Sequence, residues 1–322
     1  MLRYIIKRLI QSVPVLLLMS LISFGIMKLV PGDVAQLMCG QTCTQAETEV
    51  VRQNLGLDRP WPVQLVSYYS RLAQGDLGRS HFAGKPVLEA TIERIPRSLS
   101  IATYSMALTL VFGLACGIIA ALNRQRWADS LAMIFALVGV SLPNFVLALM
   151  MMVLLAVKLG WFPVGGYADL YSAQTGWNFT GWLRHATMPA ISLALLQIGL
   201  LARITRSSML EVLRQDYIRT ARAKGLPESI VIAKHAFKNV MIPVITVVGV
   251  IFSVLISGSV VIETIFGVPG IGGLLGGAIL NRDFPMIQGG LLFVGAALLL
   301  LNLIVDILYA YLDPRVRYDT RG

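Results

Sequence analysis

Outside the Gly-rich 264–281, six stretches of this chain run for 18 or more residues without a charged side chain, and that pattern limits its fold more sharply than any other feature. They lie at 9–27, 98–123, 130–157, 185–202, 239–262 and 284–305. A helix needs roughly 20 apolar residues to cross about 30 Å of hydrocarbon, so only the fourth run is slightly short. Backbone groups in lipid must bond within their own segment, which makes each run a helix. Composition agrees: 14% of the 322 residues are charged, where a soluble domain carries roughly 25%. The expected fold is all-α, a polytopic membrane protein of six transmembrane helices forming one membrane domain over 1–322. The net charge of +10 is then no footprint of nucleic acid. In a membrane chain, excess Lys and Arg report orientation and contact with anionic lipid or an acidic partner.

Orientation follows from where those charges sit. Residues 1–8 carry Arg3, Lys7 and Arg8 ahead of an apolar run too long for a signal peptide, with no small-x-small site before Pro31-Gly32. This is an uncleaved first span. Taking alternate connections, 1–8, 124–129, 203–238 and 315–321 hold three, two, eight and three Lys or Arg, sixteen of twenty-seven. The positive-inside rule puts these segments, and both termini, in the cytoplasm.

Between the first two spans, 31–96 is too long for a connector and forms an extracytoplasmic insertion. Thr44 caps a helix running to about Leu55, Glu47 completes a capping box and Gly56 stops it. A second helix runs from about Pro60 to Gln74 and ends at Gly75, with Trp61, Leu65, Tyr68, Tyr69 and Leu72 on its apolar side. The insertion is either a platform for a soluble partner or a cap on the pathway, and the two are compatible. Cys39 and Cys43 lie here on the oxidising side, where a disulfide is the first reading and free thiols or a metal the rivals. Cys116, inside a span, is a small packing residue. The loop 160–184 concentrates Trp161, Phe162, Tyr167, Tyr171, Trp177 and Trp182, an interfacial aromatic belt with a short surface helix near Trp177. Asn178-Phe179-Thr180 is an accidental glycosylation sequon.

Polar residues inside spans are candidates for a translocation path. Ser141, Pro143 and Asn144 fall near mid-membrane, as do Gln197 and Ser253. Ser141, Asn144, Gln197 and Ser253 either line that path or satisfy kinked backbone and neighbouring helices. Glu263, near the outer boundary, anchors the segment that follows it in preference to carrying protons, and Asp306, near the inner boundary, either has a functional role as an acid within a span or makes an interfacial salt bridge. No catalytic constellation emerges. His81, His185 and His235 are isolated, and Gly84-Lys85-Pro86 lacks the Ser or Thr and the upstream Gly of a phosphate loop. The chain is therefore read as no enzyme, with no catalytic residues, no metal site and no cofactor of its own. Mid-depth acid–base pairs of the kind that couple protons or sodium are also missing.

The longest polar stretch between two spans, 209–243, is too polar for hydrocarbon and too long for a turn. It reads as two short helices making a cytoplasmic loop over 211–240. Tyr217, Thr220, Ala221 and Lys224 share a stripe, flanked by Arg219 and Arg222. Gly225 supplies the stop, and Pro227 with Glu228 suits the first turn of the next helix.

The string RTARAKG at 219–225 resembles the EAA loop of ABC-importer permeases. SSMLEVLRQDYIRTARAKG at 207–225 is similar to the version in dipeptide, oligopeptide, nickel and glutathione importers. Arg219 stands where the general motif has Glu, and the motif's closing Pro is displaced to Pro243; both departures fit that branch. PGD at 31–33, LGLDRP at 55–60, GDLGRS at 75–80 and LDPRVRY at 312–318 look like further landmarks, and the Gly-rich 267–285 resembles the branch's re-entrant segment. The resemblance implies a permease of type I importer fold in the bacterial inner membrane. It also implies a second homologous permease, two cytoplasmic P-loop ATPases and an extracytoplasmic solute-binding protein. ATP and Mg belong to the ATPase chains. The coupling residues it implies are Tyr217, Arg219, Thr220, Ala221, Arg222, Ala223, Lys224, Gly225 and Ile230, in a 217–237 helix pair seated in an ATPase groove. Di- and oligopeptides are the implied cargo, with nickel complexes or glutathione as alternatives. The rival from another class is an ion-coupled secondary transporter, which would work without ATPase subunits.

Overall fold

The computed structural model describes residues 2–29, 33–39, 43–54, 56–172, 174 and 176–312. Pro31, Gly32 and Leu55, the side chains of Cys39 and Asp306, and the landmark beyond Leu312 lie outside the described residues. In chain order the elements are α1 (Leu2–Leu29), α2 (Val34–Cys39), α3 (Gln45–Asn54), α4 (Trp61–Ala73), α5 (Val87–Ile92), α6 (Ile95–Leu122), α7 (Trp127–Val138) and α8 (Asn144–Met151), which continues as a π-helical turn over Met152–Lys158. A two-stranded hairpin, β1 (Tyr171–Ser172) and β2 (Gly176–Trp177), precedes α9 (Phe179–Val212) and α10 (Asp216–Ala223). Then α11 (Glu228–Ile230) passes through a π-helical stretch, Val231–Ala236, into α12 (Phe237–Ile265), followed by α13 (Ile271–Leu280) and α14 (Phe284–Leu312).

Five of the six expected spans are helices long and apolar enough to cross a membrane. The third differs: 130–157 is not one helix but α7 and α8, separated by a non-helical turn at 139–143. Pro143 lacks an N–H and disfavours helical backbone at Leu142, so the helix stops and restarts with Pro143 as the cap of α8. The two halves are 12 and 15 residues long, too short to span separately.

The chain divides into two compact units. One comprises Pro96–Gly272 with the chain from Ile304, and α9 is its axis. The 34 residues of α9 include fifteen buried ones, among them Leu193, Gln197, Leu201 and Thr205. Small residues let backbones close on it. A Cβ on Gly117 of α6 would come 2.7 Å from the Ala202 carbonyl, and one on Gly199 of α9 would come 2.5 Å from that of Ala136 in α7. Its first turn is capped by Asn178, whose Oδ1 accepts from Gly181 N at 3.0 Å. The asparagine of the sequon is thus a helix cap. Instead of a surface helix, Trp177 sits in the hairpin with its ring 5.4 Å from that of Tyr171. Trp161, Tyr171 and Trp177 are exposed, as a belt requires, whereas Trp182 is buried against Tyr104.

The other unit comprises Leu2–Ile95 and Gly273–Leu303. The Thr44–Glu47 capping box forms in both directions: Thr44 N donates to Glu47 Oε2 at 2.8 Å and Glu47 N to Thr44 Oγ1 at 3.3 Å. Those bonds hold the exposed Glu47 carboxyl below its ordinary range. α4 is less of an amphipathic layer than its pattern suggests, since Trp61 is exposed and no residue of α4 is fully buried. Burial nevertheless pushes the Tyr68 phenol upward. The GDLGRS stretch seats on the start of α14. Asp283, itself buried, accepts from Ser80 Oγ, from Phe82 N at 3.0 Å and from Met286 N at 3.3 Å. Cys43 is disulfide-bonded. Cys116 is free and buried, as a packing residue should be.

Candidate functional site

The polar stretch after α9 folds as one short helix slung between two long ones. α9 extends ten residues past the expected end of its span, to Val212. α12 with its preceding turns is continuous from Glu228. The expected second short helix is therefore the root of a 38-residue rod, and the pair at 217–237 is not a free-standing hairpin. What lies between the rods is α10 and its two turns.

Local chemistry explains each boundary. Asp216 in the first turn and Arg222 in the last match the helix dipole. Gly225 adopts φ +74°, a left-handed conformation, while its N–H donates to the Arg222 carbonyl at 2.9 Å. Pro227 then caps α11. Across this turn Arg222 grips Glu228 with two bonds, Nη2 to Oε1 at 2.6 Å and Nε to Oε2 at 3.1 Å, and the pairing pushes the Arg222 guanidinium further up. At the other end Asn239 Nδ2 donates to Tyr217 Oη at 3.0 Å.

The inward face of α10 differs from the expected stripe. Ile218 and Ala221, three apart, are its two buried residues. They join a core with Met209, Val231, Ala236 and Val240, all fully buried. Of Tyr217, Thr220, Ala221 and Lys224, only Ala221 points inward. A bulky side chain at 221 would thus meet the chain's own core before any partner. Ile218 went unnoticed in the sequence, although i to i+3 spacing from Ala221 was the available signal. The outward face carries Tyr217, Arg219, Thr220, Ala223 and Lys224, with Ile230 42% exposed just beyond. Thr220 Oγ1 bonds the Asp216 carbonyl, and Arg219 approaches Asp216 at 3.3 Å, so neither is tied to the body of the protein.

The pathway candidates separate. Ser141 and Asn144 share an open groove of about 580 Å³ with Pro143, Leu196 and Gly258. Non-helical backbone at that depth needs such a setting, because its carbonyls cannot face lipid. Gln197 is buried inside the bundle, and Ser253 bonds the Gly249 carbonyl at 3.3 Å; neither lines the groove. Glu263 is fully buried and accepts from Gly272 N at 2.7 Å, while Ser98 Oγ accepts from Ile271 N at 2.8 Å. The two side chains satisfy the first turn of α13, which is the anchoring role expected of Glu263.

Among the described residues no three of His, Cys, Asp and Glu gather as metal ligands. Comparison with known proteins gives the arrangement its context. Residues 113–318 match the family of binding-protein-dependent transport system inner membrane components, and 1–102 match the N-terminal family of the same membrane components. A Brucella abortus (strain 2308) protein, provisionally named a peptide transport system permease, is 49% identical over 98% of this chain and 99% of its own. A dipeptide transport system permease of Alkalihalophilus pseudofirmus is 41% identical over 99% of this chain and 100% of its own. A glutathione transport system permease of Escherichia coli O6:H1 is also 41% identical, with the same coverage. Among solved structures, an inward-facing MetNI methionine ABC transporter chain matches with a TM-score of 0.55 at 14% identity, covering 70% of this chain and 97% of that one. At that identity the likeness concerns fold alone.

Proposed function

The chain belongs to the family of binding-protein-dependent transport system inner membrane components, and from that premise we propose that it moves di- and oligopeptides into the bacterial cell as one permease of an ATP-driven importer. The peptide cargo follows from the names of relatives that align end to end with it. Glutathione, carried in the name of another, is itself a short peptide and stays within the class. The assembly we propose adds a second homologous permease, an extracytoplasmic solute-binding protein and two ATPases, with ATP and Mg handled on the ATPase chains. Both termini and α10 face the cytoplasm in this reading, as the charge distribution along the chain suggests.

One observation carries the mechanism. α10 is fastened to the ends of α9 and α12 by Ile218, Ala221 and the Arg222–Glu228 pair, while Arg219, Thr220, Ala223 and Lys224 face outward. A helix held on one side and free on the other suits insertion into a groove of a partner. Closure of the ATPases would shift α10 as a rigid body, and both long rods would tilt with it. No chemistry is required of this chain.

The test is a charge swap. Arg222→Glu and Glu228→Arg each place like charges across the turn, whereas the double variant restores the pair in reverse. Both side chains are about half exposed, so each single change costs on the order of 1 kcal/mol, or roughly a fivefold loss of ATP-dependent uptake. The double variant should recover most of it. Wild-type uptake by both single variants would sink the coupling role.

A further inference from the structure

Beside α10, but apart from its outward face, lies a recess of about 750 Å³ walled by Arg124, Arg203, Arg206 and Arg214. Among its described lining residues the one acid is Glu211. Arg206 is spoken for: Asp129 in the first turn of α7 holds it with two bonds of 2.8 and 2.7 Å. Asp129 also accepts from Gln125 N at 3.0 Å, fixing the turn that carries Arg124, in which Gln125 adopts φ +65°. Arg124, Arg203 and Arg214 make no ion pair among the described residues. Three guanidinium groups around one hollow repel each other and lower their energy by sharing an anion.

The surroundings say which kind. The recess includes Met133 of α7 and Leu210 of α9, so its wall is partly apolar. On α7 the residues next to Met133 form an exposed apolar face of Leu131, Ile134 and Phe135, headed by Trp127 at 77% exposure. An arginine-lined hollow at the end of a helix with an exposed apolar face, marked by an exposed Trp, fits an amphiphile whose charge is a phosphate and whose body is hydrocarbon. An acidic protein surface would match the arginines but not the apolar strip. We propose that this recess seats the headgroup phosphate of an anionic membrane phospholipid, with an acyl chain lying along the exposed face of α7. The inference needs only that the chain spans a membrane, and stands or falls separately from the coupling role of α10.

The test uses the full chain in nanodiscs of phosphatidylcholine containing phosphatidylglycerol, with retained lipid read by native mass spectrometry and a photoactivatable phosphatidylglycerol locating its contacts. Wild type should retain phosphatidylglycerol over phosphatidylcholine and crosslink at α7. Arg124→Gln/Arg203→Gln/Arg214→Gln should weaken that retention roughly a hundredfold, at about 1 kcal/mol per basic residue. The corresponding triple Lys variant should keep most of it, as should Arg219→Gln/Lys224→Gln on α10. Equal retention of the two lipids, or unchanged retention in the Gln variant, overturns the proposal. Displacement by inorganic phosphate alone would mean a soluble-anion site. Loss of a co-purifying protein, with lipid retention intact, would mean a protein-docking surface. Either result overturns the lipid assignment.

Discussion

Gly225 is required for its backbone and not for space. A Cβ there meets nothing within 4 Å, but φ is +74°. A side chain in that conformation costs about 1–2 kcal/mol, less for Asn. Proline fixes φ near −65° and removes the N–H bonded to Arg222. Uptake should therefore fall in the order Gly, Asn, Ala, Pro at position 225, with equal amounts of protein in the membrane fraction; a flat series would mean the turn does not matter. Glu47 makes a prediction in pH. Its carboxyl is held below the ordinary value by the Thr44 backbone and side chain, so the cap stabilises α3 fully above the ordinary glutamate range. That contribution disappears as pH falls through the lowered folded value. Amide protection in α3, taken relative to the intrinsic exchange rate at each pH, should fall at acid pH in wild type, and Glu47→Gln should flatten the dependence.

At the scale of elements, α13 depends on two side chains that reach its first turn. Glu263→Gln keeps an oxygen for the Gly272 N–H and loses charge near the dipole, a change of about 0.3–1 kcal/mol. Glu263→Ala leaves that buried N–H unpaired, costing about 1–3 kcal/mol. If Glu263 anchors the helix, uptake should survive Gln far better than Ala. Equal loss in both would favour proton carrying instead. The break between α7 and α8 belongs to this scale too. Pro143 was visible as a disturbance of the third run, but the sequence could not say whether the helix bends or stops. Bending leaves one freed carbonyl, whereas stopping exposes several, and what decides is whether a groove receives them. Here the residues of the break, Val140 to Pro143, line the 580 Å³ groove.

For the whole molecule, the proposal that energy is converted on partner chains has a direct consequence. Purified alone into vesicles, with peptide outside and ATP on the α10 side, the chain should accumulate nothing; adding the partner subunits should produce ATP-dependent accumulation. Accumulation by the single chain would replace the importer reading with secondary transport.

Five of the six spans, the capping box, the Gly225 stop and the basic loop could all be read from residue order. Each is a local matter, fixed by lipid thickness, hydrogen bonds a few residues apart or one backbone dihedral. The sequence alone thus determined that this is a membrane permease with a displayed polar loop. Tertiary structure decided which face of α10 turns inward, that the second short helix is the root of α12, and that Ser141 and Asn144 face a groove while Gln197 is buried. It also brought Asp129 to Arg206 across 77 residues of chain. Those outcomes depend on which surfaces meet, and neighbours distant in sequence leave no mark in a local pattern.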